Sequence, residues 1–270
     1  MPPETYLAAA VQMTSGADRA RNLETAVRLL TQAADQGARL AALPENFSFM
    51  GPDEDRIAGA EPVEGPTVAR LRELARSRRM FVLAGSIAEK VVAPGKTANT
   101  SVLLADDGSI AAVYRKIHLF DVNIADGARY AESETVVPGD RPVVAETAVG
   151  KIGLSVCYDL RFPELYRKLV DGGADLIAIP AAFTLYTGKD HWEVLVRARA
   201  IENLCYAVAP AQVGRHSQNR VTFGNAMVVD PWGVVLARCP DGEGFCLAPV
   251  RRERLLQVRR ELPALEHRRL

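Results

Sequence analysis

Short apolar runs alternate with amphipathic stretches along the whole chain. Tyr6 to Gln12 has the length and composition of a buried strand. Beyond it Leu23, Ala26, Val27, Leu30, Ala33 and Ala34 recur at helical spacing, with Asn22 as the expected N-cap and Gly37 as the expected stop. Leu40 to Leu43 returns to the strand pattern and closes at Pro44. The rhythm then repeats. A loop rich in Gly, Pro and acids, Gly51 to Pro66, leads to a helix marked by Val68, Leu71, Leu74 and Ala75, and Phe81 to Ile87 reads as the next strand. Thr100 to Ala105 and Ile110 to Tyr114 predict a hairpin, with Asp107-Gly108 in its turn. From Val122 to Arg141 no period holds; loops of that length in compact domains are often lids or binding loops.

The second half follows the same grammar. Ile152 to Val156 is a buried strand, and Pro163 suits the first turn of a helix, where its missing N–H would be unpaired anyway. Leu176 to Ile179 is a strand that stops at Pro180. A helix from about His191 to Asn203 is expected to turn Val194, Leu195, Ala198 and Ile201 inward. Tyr206 to Ala211, a hairpin of Ala226–Val229 with Val234–Ala237, and Phe245 to Val250 supply further strands. Arg251 to Arg260 reads as a basic helix and Pro263 to Leu270 as a polar tail, a charge run that predicts a solvated face or an oligomer contact. No linker or compositional break interrupts the series. The expectation is one layered α/β domain over residues 1–270.

Composition narrows the class. Hydrophobic residues are 48%, enough for a large core, and 33 basic against 33 acidic side chains leave no net field to attract nucleic acid. No apolar stretch approaches the roughly 18 residues of a membrane span, and the N-terminus lacks the pattern of a signal peptide. The four cysteines, Cys157, Cys205, Cys239 and Cys246, form no C-x-x-C pair, so no metal site is expected. A cytoplasmic protein is the expectation.

Cys157 ends a strand just before a helix begins, and backbone N–H groups at such a junction can hold a developing oxyanion. Alone it would most often be a structural cysteine, since free Cys is commonly buried. Two other positions change that. Glu45 follows Leu43-Pro44, and Lys116 follows the strand ending at Tyr114. Each lies at or near the C-terminal end of a strand, where layered α/β folds gather functional side chains. The three are chemically complementary. Glu45 could take the thiol proton, and Lys116 could favour the thiolate and the oxyanion of an attacked amide, with a thioester acyl-enzyme as intermediate. Tyr158, whose N–H follows the nucleophile, is the candidate for the oxyanion hole. Phe183 and Thr184, just past a strand end, are candidates for the pocket wall. Arg161 and Arg215 could each read a substrate carboxylate. Three rivals stand beside this reading: a cysteine enzyme using His118 or His191 as base, a redox sensor, and a non-catalytic partner-binding protein.

Leu-Pro-Glu45-Asn-Phe, Tyr-Arg-Lys116-Ile-His-Leu-Phe-Asp and Gly-Leu-Ser-Val-Cys157-Tyr-Asp-Leu-Arg-Phe-Pro-Glu closely resemble the three motifs of the nitrilase superfamily of carbon–nitrogen hydrolases. Ala131-Glu132-Ser133 with Pro138-Gly139-Asp140 is similar to the segment bearing that family's second active-site glutamate. The resemblance implies that Glu132 positions Lys116 or the substrate. It implies a four-layer α-β-β-α sandwich that forms a homodimer or higher oligomer, with no metal or organic cofactor. His191 to Glu202, Gln212 to His216, Met227 to Gly233 and the tail Leu262 to Arg269 look most like the branch that hydrolyses deaminated glutathione. Asn225 departs from that branch, and Phe120 to Ala131 looks closer to the neighbouring omega-amidases. The implied reaction is hydrolysis of a terminal carboxamide of a small 2-oxo acid to carboxylate and ammonia. Deaminated glutathione is the leading substrate; 2-oxoglutaramate, 2-oxosuccinamate and N-carbamoyl amino acids are the alternatives.

Overall fold

A computed structural model describes residues 2–123, 129–217 and 220–269. In chain order the first half runs β1 (Thr5–Met13), α1 (Arg19–Asp35), β2 (Ala38–Ala42), α2 (Asp53–Ala58), α3 (Pro66–Arg78), β3 (Phe81–Lys90), β4 (Thr97–Leu104) and β5 (Ile110–Arg115). A small hairpin of β6 (Asp121–Asn123) with β7 (Arg129–Ala131), then β8 (Val136–Val137), leads to β9 (Val143–Thr147), β10 (Gly150–Leu154), α4 (Pro163–Asp171), β11 (Leu176–Ala178) and α5 (Leu185–Asn203). The chain ends with β12 (Tyr206–Ala209), β13 (Ala211–Ser217), β14 (Arg220–Phe223), β15 (Met227–Val229), β16 (Val235–Arg238), β17 (Gly244–Arg251) and α6 (Arg252–Glu261).

β1 shows how the layers arise. Successive strand side chains point to opposite faces. Ala9, Val11 and Met13 pack with α1 and α3, while Tyr6, Ala8 and Ala10 join the core shared with a second sheet. The first sheet has nine strands, ordered β14-β13-β1-β2-β3-β4-β5, with β17 on β1 and β8 on β4. The second has six, ordered β16-β15-β12-β11-β10-β9. Helices α4 and α5 cover its far side through Leu165, Leu169, Trp192 and Val196. The expected four-layer α-β-β-α sandwich is therefore present. β1-β2-β3 and β10-β11-β12 are parallel runs, each built by helical crossovers. Their carboxyl ends deliver the loops that matter for chemistry.

Several local expectations change. Asp18, not Asn22, caps α1, accepting from the Arg21 N–H; Asn22 lies buried in the first turn and bonds Gly16 and Ser48. The loop from 51 to 66 contains α2. The Tyr206 strand breaks at Pro210, and the chain crosses from the six-stranded sheet to the nine-stranded one. The segment from 122 to 141 carries β7, β8 and a 3-10 turn at Glu132–Glu134, and residues 124–128 of it lie outside the described residues.

The largest difference is the face of α5. The helix starts at Leu185, capped by Thr184, and buries Trp192, Val196, Arg199, Ala200 and Asn203. Val194 is 65% exposed and Ile201 43%. Polar side chains face inward here because each finds a partner: Arg199 donates to Leu160 O at 2.7 Å, and Asn203 to Arg199 O at 2.9 Å. α6 is only partly solvated. Leu255 and Val258 are buried, and Arg259 ties the helix to Asp175, Ala174 and Leu204.

Candidate active site

Glu45 lies three residues past β2, on a turn pressed against β3. Asn46 adopts φ 55°, and its N–H donates to Ser86 Oγ at 3.0 Å. Gly85 makes this approach possible: a Cβ there would stand 2.0 Å from Pro44 O. Lys116 follows β5 directly. Its N–H donates to Asn99 O at 2.9 Å and its carbonyl accepts from Gly139 at 2.8 Å. Cys157 opens a 3-10 turn, Cys157–Arg161, three residues past β10. Its φ of 49° is left-handed, a strained conformation for a residue with a side chain. Its N–H donates to Pro180 O at 2.9 Å.

Asp159 holds this elbow to the other sheet. It is fully buried and accepts from Val156 N–H at 2.8 Å, Tyr114 OH at 2.7 Å and His118 N–H at 3.0 Å. The Lys116 loop and the Cys157 elbow are thus joined through one carboxylate.

The side chains of Glu45, Lys116 and Cys157 meet. Lys116 Nζ is 2.9 Å from Glu45 Oε1 and 2.8 Å from Glu132 Oε2, with the ammonium side chain only 2% exposed. Glu45 lies beside the Cys157 thiol and acts on it electrostatically. Asn99 donates to Glu45 Oε1 and Glu132 Oε1, each at 3.0 Å, and the Phe120 N–H donates to Glu132 Oε2 at 2.7 Å.

The electrostatics follow from burial and these contacts. Burial and then Glu45 push the Cys157 thiol well above its ordinary range; Lys116 and a bond from the Ala182 backbone oppose them without prevailing. Burial disfavours the Lys116 ammonium, yet Glu132 and Glu45 outweigh it and hold the group charged. Burial likewise disfavours the Glu132 carboxylate, but Lys116 and Asn99 hold it below the usual carboxylate range. The resting sulfur is therefore a thiol beside a carboxylate, and its activation calls for a base.

This cluster forms the buried end of a cavity of about 200 Å³. Tyr158, Phe183 and Thr184 line it, together with Phe120. Phe183 packs on Trp192 with centroids 5.0 Å apart, and Thr184 uses its hydroxyl to cap α5. Arg161 lines the cavity, with its guanidinium 5.2 Å from the Phe183 centroid, whereas Arg215 is not among the lining residues. Neither histidine fits the role of base. His118 stacks on Phe162 at 3.7 Å and bonds Asp159, and His191 meets Arg161 at the surface. Asn99 and the rim arginines Arg56, Arg129 and Arg220 are additions. Asn99 carried one signal, an amide inside a strand, where asparagine is depleted. Among the described residues no three His, Cys, Asp or Glu side chains group to hold a metal ion, and no helix is long and apolar enough to cross a membrane.

The sequence profile of the family described as carbon-nitrogen hydrolase matches residues 7–260. The chain is 48% identical over 266 residues to the deaminated glutathione amidase of Synechocystis sp., covering 97% of this chain and 98% of that protein. Against the crystal structure of the C. elegans NitFhit protein the TM-score is 0.94 at 38% identity, covering 100% of this chain and 66% of that one. Against Saccharomyces cerevisiae Nit3, a member of branch 10 of the nitrilase superfamily, the TM-score is 0.89 at 30% identity, covering 100% and 98%.

Proposed function

The chain belongs to the carbon–nitrogen hydrolase family, and we propose that residues 1–270 act as one amidase domain that hydrolyses the amide of a small 2-oxo acid, deaminated glutathione foremost. The observation that carries this reading is the Glu45 carboxylate, paired with the Lys116 ammonium and set beside the Cys157 thiol at the buried end of a cavity.

The steps follow from that arrangement. The sulfur attacks the amide carbonyl as Glu45 takes its proton. Charge developing on the carbonyl oxygen is met by Lys116 and the Tyr158 N–H. The tetrahedral adduct collapses, the protonated Glu45 gives its proton to the departing amine, and a thioester remains. Water then attacks the thioester while Glu45 accepts its proton. The second adduct expels the thiolate, which recovers its proton from Glu45, and the carboxylic acid leaves. Glu132 acts on Lys116, holding the ammonium in place and charged. Arg161, four residues beyond the nucleophile, suits the carboxylate of the 2-oxo acid.

The leaving group differs from the expectation of ammonia. Glutathione without its amino group keeps a γ-amide to cysteinylglycine, so that dipeptide is the amine released. Ammonia leaves only from a primary amide such as 2-oxoglutaramate. Both substrates yield 2-oxoglutarate.

The subunit is proposed to form a homodimer in the cytoplasm. An apolar face supports the dimer: Val194 and Ile201 of α5 lie exposed beside Trp232, Val234 and Leu236 of the β15–β16 hairpin. Arg197 bonds Gly233 O at 2.8 Å and fastens helix to hairpin, so the patch is continuous.

The test is initial rates on deaminated glutathione, 2-oxoglutaramate, an N-carbamoyl amino acid and a nitrile. The first two are expected to dominate. Fast nitrile turnover without amide hydrolysis would overturn the reading.

A further inference from the structure

Four guanidinium groups line the cavity, those of Arg56, Arg129, Arg161 and Arg220. Two are engaged within the protein. Arg56 donates to Asp53 at 2.9 Å and to Thr97 at 3.1 Å. Arg129 pairs with Glu134 at 2.9 Å. Arg161 lies against aromatic faces beside the nucleophile's turn. Arg220 completes the set, and it joins none of the ion pairs among the described residues.

Arg220 opens β14 two residues before Thr222. Alternate residues of a strand share a face, and both line the cavity. Thr222 is buried and shares a hydrogen bond with His216 at 2.7 Å. Arg220 stands about 7 Å along the strand from it and is half-buried. β14 is an outer strand of the nine-stranded sheet, whereas Arg161 follows β10 of the six-stranded sheet. The two guanidinium groups that form no ion pair among the described residues therefore reach the cavity from different sheets.

This pairing matches a substrate with a carboxylate on each side of its scissile bond. Resting on the amidase reading above, we infer that Arg220 binds the carboxylate carried by the leaving amine, the glycyl end of cysteinylglycine. It thereby separates deaminated glutathione from 2-oxoglutaramate, whose leaving group bears no charge. The two substrates deliver the same 2-oxoglutaryl group to Cys157, so the thioester and its hydrolysis are common to both. Arg220 acts only before the amine departs.

The experiment measures kcat/KM for deaminated glutathione, its C-terminal carboxamide analogue and 2-oxoglutaramate in the wild-type protein, R220A and R220K. The preference for deaminated glutathione over 2-oxoglutaramate is expected to fall about 10- to 100-fold in R220A, with partial recovery in R220K. Wild-type protein should disfavour the carboxamide analogue by a similar factor, and R220A should not distinguish it. Inhibition by cysteinylglycine should weaken in R220A. Wild-type turnover of 2-oxoglutaramate without deaminated glutathione sinks the substrate reading and this inference together. Turnover of both, with the preference unchanged in R220A or lost instead in R129A, overturns this inference alone.

Discussion

Asn99 donates to Glu45 Oε1, the same oxygen that Lys116 contacts. Both donors fall on one side of the carboxylate, which leaves Oε2 for the thiol proton. Asn99 also holds Glu132 at 3.0 Å. Asn99→Ala frees both carboxylates from a shared donor. The expected result is a fall in kcat/KM of about 10-fold, from looser positioning of the base. Glu132 also loses a bond that favours its ionised form, so the acid limb of the pH profile should move to higher pH. An unchanged profile would make Asn99 merely structural.

The thiol state predicts a pattern of reactivity. Glu45 raises the Cys157 pKa and Lys116 lowers it. Glu45→Gln should therefore shift the pH midpoint for labelling by a small neutral disulfide reagent downward, even as amide hydrolysis is lost. Lys116→Ala should shift it upward. Opposite shifts would mean that the sulfur is not controlled by these two charges.

Lys116 is the only cation touching Glu45 and Glu132 among the described residues. Lys116→Met strands the buried Glu45 and the half-buried Glu132 carboxylates and is expected to destabilise the fold by about 3–5 kcal/mol. Adding Glu132→Gln should recover part of that. Glu132 is held below the ordinary carboxylate value, so its contribution is full above about pH 4.3 and fades as pH falls through the folded value. Melting curves should show the gap between wild type and Glu132→Gln narrowing on that acid side. A gap independent of pH would sink the linkage.

Gly85 backs the turn that carries Glu45. Gly85→Ala forces Pro44 O away, and about 1 Å of displacement at the base can cost roughly 100-fold in rate. Activity should fall much further than thermal stability. Equal loss of both would point to general unfolding.

If the exposed face of α5 is the dimer contact, Val194→Glu with Trp232→Glu should give a monomer by light scattering, since both side chains are at least half exposed. A wild-type monomer, or a variant that remains dimeric, would remove that face from consideration.

Much of this was legible along the chain because parallel strands in a layered fold read as short apolar runs. Glu45, Lys116 and Cys157 follow the ends of such runs, a weak signal by itself, and the resemblance to the three nitrilase motifs singled them out. What failed was the inward face of α5, because Arg199 and Asn203 are buried through hydrogen bonds and read locally as solvent-facing. Asn99 and Arg220 depend on strand register between distant segments, which no local pattern encodes. The leaving amine was misjudged for a chemical reason: a γ-glutamyl link is a secondary amide.

The base and the ammonium hang from the nine-stranded sheet and the nucleophile from the six-stranded one, riveted by Tyr114 and Asp159. Turnover is consequently a gauge of how the two slabs sit on each other. Mild denaturant or pressure that lets them slip by a fraction of an ångström should silence hydrolysis while circular dichroism still reports every helix and strand. Freezing that slip, with a cross-link between the slabs far from the cavity, would extend the working range of the protein without touching a reacting atom.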